Sequence, residues 1–142
     1  MTIRPSDSTV KPDAYLRACP SRLVLARIGE KWSLLIVLRL AEGPSPFGAL
    51  RRRLEGISQK VLTQNLRGLE RDGLVGRRAL PTRPASVEYR LTALGTELVP
   101  MAAALKAWAE RNLHAIERHQ RAYDAGAGGP GKISTSAESP AR

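Results

Sequence analysis

The chain has 142 residues, of which 42% are hydrophobic and only 4% aromatic, so aliphatic side chains must form most of a core of ordinary domain size. Its formal net charge is +10, which favours an anionic partner. The longest apolar run, residues 34–38, is too short to span a bilayer, and the polar first residues lack the apolar region of a signal peptide. We therefore predict a cytoplasmic protein with no membrane partner.

Two helices are predicted near the start of the chain. Residues 1–13 are polar and are predicted to form a flexible arm, ahead of a folded domain over residues 14–123. Pro20 suits a first helical turn and Gly29 interrupts the helical pattern, which predicts helices over about 20–28 and 31–41. Trp32 could line an effector pocket, but a lone Trp among aliphatic residues is more often part of a core. The residues expected to pack beneath the helix that spans residues 58–72 are Trp32, Leu34, Leu35 and Leu38.

A helix-turn-helix unit follows. The run SPFGALRRRLEG predicts a short helix from about Pro46 to Leu54, and Gly56 predicts a tight turn into a second helix over about 58–72. Ser58 can cap the start of that second helix, and Gly73 can adopt the left-handed conformation that ends it. Two helices joined by a short turn containing glycine form this unit. The predicted buried positions of the second helix are Leu62, Leu66 and Leu69.

The opposite face of the second helix carries polar side chains suited to a DNA groove. Arg and Lys can bind phosphates or guanine acceptors, Gln can pair with adenine, and a Thr hydroxyl or methyl group can meet a base edge. The alternative is the solvated face of an ordinary amphipathic helix, which the adjoining turn and helix make less favourable. The predicted DNA-binding residues of this helix are Ser58, Gln59, Lys60, Thr63, Gln64, Arg67 and Arg71.

A basic hairpin, the wing, is predicted over about residues 75–91. The pattern changes there from helical to alternating, with strands over 75–80 and 86–91. Ten Arg or Lys and four Asp or Glu lie between Arg51 and Arg90, so six of the ten net charges fall within forty residues. An Arg-rich composition explains the total charge but not this concentration, which is typical of a surface that binds phosphates. The wing candidates for DNA binding are Arg77, Arg78 and Arg83.

A long C-terminal helix is predicted over about residues 93–123, with Thr92 as its cap and a bend at Pro100. Its apolar stripe has no later element to cover it, so we predict a homodimer interface there. The alternative is that the stripe packs only on its own domain. Residues 124–142 are rich in Gly, Ser, Ala and Pro and are predicted to form a disordered tail. The predicted interface residues are Leu98, Met101, Leu105, Trp108, Asn112 and Ile116.

The sequence contains no motif for catalysis, metal binding or a cofactor. His114 and His119 are five residues apart and so do not share a helix face, and no phosphate-binding loop or nucleophile elbow occurs. We predict a protein that is not an enzyme and has no catalytic residues, metal or cofactor. The remaining alternative is an active site assembled from distant carboxylates such as Glu42, Glu55 and Glu88.

Three runs of sequence resemble one family of regulators. They are CPSRLVLARIGEKW from Cys19, FGALRRRLEGISQKVLTQNLRGLERDGLV from Phe47 and VEYRLTALG from Val87. Together they resemble the HxlR-type transcriptional regulators of the MarR-like superfamily, over about residues 19–108. The resemblance implies a mainly α fold with a small β-hairpin, in which a winged helix-turn-helix lies between N- and C-terminal dimerisation helices. It departs from the family pattern at Glu30, usually Gly, and at Ser86, often a basic residue.

Cys19 is the single cysteine. It lies at the predicted start of the first helix, near Arg17 and Arg22, where the helix dipole and positive charge favour a thiolate. The resemblance implies that a cysteine at this position senses oxidants or electrophiles. The alternative is a small buried core residue. With one thiol per chain, sensing would require alkylation, a mixed disulfide or a bridge between subunits.

Two functions fit these features. The first is a dimeric bacterial transcription factor that binds double-stranded DNA at an inverted repeat, as a repressor that responds to a small molecule, an oxidant or an electrophile. The second is an architectural or protein-bridging module that binds DNA without sequence preference. Gln59, Thr63 and Gln64 favour the first, because a surface that binds only phosphates has no need of amides and hydroxyls.

Overall fold

The computed structural model describes residues 11–127, so most of the predicted arm and most of the predicted tail lie outside the described residues. The chain divides into two compact units, Met1–Ala104 and Leu105–Arg142. The fold is mainly α with a small antiparallel sheet, as predicted. Its elements are α1 (Ser21–Ile28), α2 (Lys31–Ala41), β1 (Ser45–Pro46), α3 (Phe47–Arg52), α4 (Gln59–Arg71), β2 (Val75–Leu80), β3 (Ser86–Leu91), α5 (Ala93–Thr96), α6 (Val99–Ala122) and a π-helical turn (Tyr123–Ala127).

The core of the first unit is aliphatic. Leu62, Leu66 and Leu69 of α4 are buried as predicted, and they pack with residues of α2, α3 and β2. The prediction for α2 was right in part, because Trp32 and Leu35 pack against this core, but Leu34, Leu35 and Leu38 are only half-buried. In an unbroken apolar run no polar position marks the outer side, so contacts with the other helices decide which face turns inward. The buried residues of α2 are Ser33, Ile36, Val37 and Leu40.

Trp32 is a half-buried residue packed against this core. The ammonium group of Lys31 lies 4.7 Å from the centre of its ring. A small apolar cavity of about 10 Å³ lies nearby, and Trp32 does not line it. Trp32 therefore has the structural role that its aliphatic surroundings predicted.

Both ends of α4 have the predicted caps. The Ser58 hydroxyl accepts a hydrogen bond from the Val61 amide at 3.1 Å. At the other end Gly73 has a φ of 76°, and the Leu74 amide donates to the Leu69 carbonyl at 2.9 Å. These bonds satisfy backbone groups that the helix leaves unpaired, so the limits of α4 are fixed locally.

The wing belongs to a three-stranded sheet with the order β1-β3-β2. β2 and β3 pair antiparallel from Val75↔Leu91 to Leu80↔Ser86, as the hairpin predicted. β1, in which Pro46 pairs with Glu88, was missed. The short helix predicted from about Pro46 to Leu54 is present as α3, with Pro46 at its N-cap. A two-residue strand has no periodicity, and its partner is more than forty residues away.

The prediction of one bent helix after the wing was also wrong. Thr92 does cap a helix, by accepting from the Gly95 amide at 3.0 Å, and its hydroxyl also donates to the Gly73 carbonyl at 2.6 Å. That helix, α5, ends at Thr96, and α6 begins at Val99. Pro100 therefore lies in the first turn of α6, where its missing amide hydrogen causes no loss of a helical bond.

We predict that Leu66→Ala lowers the free energy of unfolding by about 2–5 kcal/mol, because it removes buried methyl groups from the centre of the core. Leu94→Ala is a matched control, since Leu94 is 53% exposed, and we expect a change within about 0.5 kcal/mol. Urea denaturation at one protein concentration measures both values. Equal losses for the two variants would contradict this description of the core.

Candidate nucleic-acid interface

The polar face of α4 is open to solvent. Buried leucines hold the opposite face against the core, so the long polar side chains project outwards. This arrangement leaves guanidinium, ammonium and amide groups together along one side of a helix, which is the donor and acceptor set that a major groove accommodates. The exposed residues on this face are Gln59, Lys60, Gln64, Arg67 and Arg71.

Two of the predicted DNA-binding residues use their hydroxyl groups within the helix. Ser58 accepts from the Val61 amide, so only its hydroxyl hydrogen remains to meet a phosphate. The Thr63 hydroxyl donates to the Gln59 carbonyl at 2.8 Å, which leaves its oxygen lone pairs and its methyl group. The amides of Gln59 and Gln64 are consequently the neutral groups best suited to contact base edges.

The three wing arginines differ in their surroundings. Arg78 donates to Glu88 at 2.9 Å, directly across the β2–β3 pair. Arg77 lies 3.5 Å from Glu70, a residue of α4, so this ion pair joins the wing to the helix. Arg83 lies in the exposed loop between the strands. The carboxylates offset part of the charge of Arg77 and Arg78. These pairings were not predicted, because they depend on strand register and on tertiary packing.

The basic surface extends beyond the predicted residues to α3. Arg51 and Arg52 are exposed in the last turn of that helix. Arg53, the third residue of the triplet, forms an ion pair with Glu42, and its carbonyl accepts from Arg39 at 3.0 Å. The triplet was visible in the sequence, but only the structure shows that Arg53 is held by a carboxylate.

Cys19 lies just before α1, at a different position from the one predicted. The N-cap of α1 is Pro20, so Cys19 is one residue outside the helix. Cys19 is half-buried, and its sulfur lies 3.0 Å from the Ser21 hydroxyl and accepts from the Asp13 amide at 3.3 Å. These hydrogen bonds, that from Ser21 foremost, lower the pKa of the Cys19 thiol.

We expected the helix dipole and nearby arginines to favour the thiolate, and the expectation about the arginines was wrong, because hydrogen bonds lower the pKa of Cys19. The Arg22 guanidinium donates to the carbonyls of Ala14 and Tyr15 at 3.0 and 2.9 Å. It therefore stabilises the segment before α1, while hydrogen bonds act on the sulfur itself.

Most of the predicted dimer residues are exposed apolar side chains of α6. Met101 is exposed in the first unit, and Leu105, Trp108 and Ile116 are exposed in the second, with Trp108 at 51%. Leu98 differs, because it is half-buried against the core of its own unit. Asn112 donates to the Trp108 carbonyl at 2.8 Å. Residues that the prediction omitted are also exposed, namely Leu23, Val24 and Leu25 of α1 and Leu113 of α6.

Within residues 11–127 no group of three or more His, Cys, Asp or Glu side chains is placed to hold a metal ion. No helix in this part of the chain combines the length and the apolar character needed to cross a membrane.

We predict that Ser21→Ala shifts the alkylation of Cys19 to higher pH. The thiolate is the reactive form, and loss of the Ser21 hydrogen bond raises the pKa of Cys19 towards its ordinary value. The rate of iodoacetamide labelling against pH measures this shift, and Cys19 is the single thiol that can react. Ser86→Ala, in the wing, serves as the control. An unchanged midpoint in Ser21→Ala would show that this bond does not tune the thiol.

Comparison with known proteins agrees with this architecture. Residues 27–117 match the family model described as HxlR-like helix-turn-helix. The HTH-type transcriptional regulator YtfH of Escherichia coli K12 is 44% identical over 99 residues, which cover 70% of this chain and 79% of that protein.

Two solved structures extend the comparison. The transcriptional regulator YtfH from Salmonella typhimurium has a TM-score of 0.74 and 38% identity, covering 78% of this chain and 99% of that one. The redox regulator HypR in its oxidized form has a TM-score of 0.60 and 38% identity, covering 66% and 97%. These matches confirm the resemblance seen in the sequence, and the chain belongs to the HxlR family of winged helix-turn-helix transcriptional regulators.

Proposed function

We propose that the protein is a homodimeric repressor that recognises an inverted repeat in double-stranded DNA. In this proposal α4 enters the major groove, the wing contacts the flanking backbone, and the bound dimer blocks access to a promoter. The observation that supports it most directly is the exposed face of α4, where amide and guanidinium groups lie together opposite a buried leucine stripe.

The amide groups favour sequence-specific binding over binding to any DNA. Attraction to phosphates depends on positive charge, to which Gln59 and Gln64 contribute nothing. A glutamine amide can instead donate one hydrogen bond to adenine and accept another from it. An arginine can donate two hydrogen bonds to guanine. Placing both residue types on one exposed face of α4 is useful for reading bases and adds little to a surface that binds phosphates alone.

We predict that Arg67→Ala and Gln64→Ala each weaken binding to a site selected from a random DNA pool by about 1–3 kcal/mol, with much smaller losses on random duplex. Arg83→Ala should weaken binding to both DNAs. It should also make the slope of log affinity against log salt concentration shallower, by about the amount that corresponds to one phosphate contact. Lys106→Ala is the control, because Lys106 pairs with Glu110 on α6. Fluorescence anisotropy at several salt concentrations gives these values. Equal losses on both DNAs for Arg67→Ala and Gln64→Ala would rule out base reading by these residues.

Exposed apolar residues on two helices support the dimer. α1 has no buried residue, and it exposes Leu23, Val24 and Leu25. α6 exposes Trp108 and several aliphatic side chains. A second copy of the chain can cover such surfaces symmetrically. Two α4 helices related by a two-fold axis would then meet half-sites about one helical turn apart, which is why the proposed operator is an inverted repeat.

We predict that Trp108→Glu dissociates the dimer, because the substitution places an unpaired charge in the proposed interface. Gln120→Glu adds the same charge at an exposed position of the same helix and should leave the dimer intact. Sedimentation velocity measures the oligomeric state, and circular dichroism shows whether the monomer is folded. An intact dimer in Trp108→Glu would place the interface elsewhere.

The surroundings of Cys19 support a response to electrophiles. The lowered pKa of the thiol increases the thiolate fraction at neutral pH, and HypR, a structural neighbour, is a redox regulator. A thiolate adds to a quinone by forming a carbon–sulfur bond, and the quinone then takes up a proton. The adduct would displace the Ser21 and Asp13 hydrogen bonds and so disturb the start of α1.

We predict that quinone treatment weakens binding of the wild-type protein to its selected site and leaves Cys19→Ser unaffected. A shift of α1 would misplace the two α4 helices while leaving general attraction to phosphates largely intact. Anisotropy before and after treatment, with mass spectrometry to show the adduct, makes the comparison. If the variant responds like the wild type, or if neither responds, Cys19 is a structural residue.

A further inference from the structure

One flank of α4, next to its exposed polar face, is attached to α1 and α2 by polar contacts. The flank consists of Val61, Asn65, Gly68 and Asp72, which recur at helical spacing one position after Lys60, Gln64, Arg67 and Arg71. Asn65 lies 3.2 Å from the hydroxyl of Ser33, a buried residue of α2. Arg27, in the last turn of α1, donates to the Asp72 carboxylate at 2.5 Å across 45 positions of the chain.

Gly68 makes room for Arg27. It is buried in the middle of α4, where glycine is an unfavourable choice for a helix. A Cβ atom on Gly68 would overlap the guanidinium group of Arg27. The side chain of Arg27 therefore lies directly on the backbone of α4, at the position beside Arg67.

Asp72 is a second locally unfavourable choice that Arg27 explains. It is the C-cap of α4, where the helix dipole disfavours a carboxylate. The Arg27 guanidinium supplies the missing positive charge, and the pair is partly shielded from water, with the two side chains 33% and 25% exposed. Two residues that weaken α4 by themselves thus form one binding site for an arginine of α1.

We propose that Arg27 is a positioning residue for DNA recognition. Buried leucines hold α4 against the core, and Arg27 sets the rotation of the helix about its axis, which decides where Gln64 and Arg67 point. Base contacts require side chains to be placed within a fraction of an ångström, so a small rotation affects specific binding more than general binding to phosphates. This inference rests on the proposed base reading by α4.

Gly68→Ala tests the contact without changing any charge. The added methyl group displaces Arg27, while alanine itself favours the helix. We expect affinity for the selected DNA site to fall about tenfold, the loss of one base contact, with random duplex DNA changing less than about twofold. In an Arg27→Ala background there is no guanidinium to displace, so Gly68→Ala should cause no further loss. Such non-additivity is the signature of a shared contact.

Asp72→Asn provides a second test, because it removes the charge partner and keeps the shape of the C-cap. It should reproduce the loss of specific binding seen for Gly68→Ala. Lys106→Ala is the charge control for Arg27→Ala, since it removes one positive charge from α6, where Lys106 pairs with Glu110. Anisotropy on the selected site and on random duplex is measured for every variant, together with a thermal melt.

The outcomes separate this inference from the proposed function. Three results would overturn the role of Arg27, provided that the wild type still prefers the selected site. They are an unchanged preference for that site in Gly68→Ala and Asp72→Asn, additive losses of affinity when Gly68→Ala is combined with Arg27→Ala, and equal losses of affinity on both DNAs. A wild-type protein that binds selected and random DNA equally would overturn the proposed base reading as well. We expect the variants to lose affinity for the selected site, to bind random duplex DNA as the wild type does, and to show the cooperative thermal melt of a folded protein.

Discussion

Burial of Leu62, Leu66 and Leu69 fixes α4 against the core and determines which of its residues face solvent. Each fully buried leucine contributes roughly 1.5–3 kcal/mol, and together they commit one side of α4 to the core. Because side chains follow one another at about 100° around a helix, that commitment also determines which residues face solvent. The exposed polar face, on which the proposed recognition of DNA depends, is a geometric consequence of the leucine stripe.

Apolar packing sets the rotation of a helix only approximately, since a leucine stripe tolerates small rotations. Directional polar contacts between α4 and its neighbours narrow that range. The Ser33 hydroxyl meets Asn65, Arg27 meets Asp72, and Arg77 of the wing meets Glu70. These contacts come from α2, α1 and β2 respectively, so three neighbouring elements share control of one helix.

Ion pairs within the chain reduce the positive charge that is available to an anionic partner. The sequence between Arg51 and Arg90 is strongly basic, yet several of its arginines already have carboxylate partners within the chain. The exposed Arg67, Arg71 and Arg83 therefore carry more of the interaction expected with phosphates than Arg77 and Arg78 do. The helix α1 has contacts at both of its ends. Its first residue, Ser21, hydrogen-bonds to Cys19, and Arg27 in its last turn binds the Asp72 carboxylate.

Local signals in the sequence were sufficient for α4, its caps, the β2–β3 hairpin, the exposed polar face and the family. Each depends on residues within a few positions of one another, through helical periodicity, Ser58, Gly73 or strand alternation. Contacts between distant parts of the chain decided the inward face of α2, the strand β1 and the partners of Arg77 and Arg78. The physical reason is distance along the chain. The side of an apolar run that faces solvent is decided only when a neighbouring element packs against the other side. A two-residue strand forms only beside its partner strand. Gly68 and Asp72 are unfavourable residues in an isolated helix, and contact with Arg27 of α1 explains both.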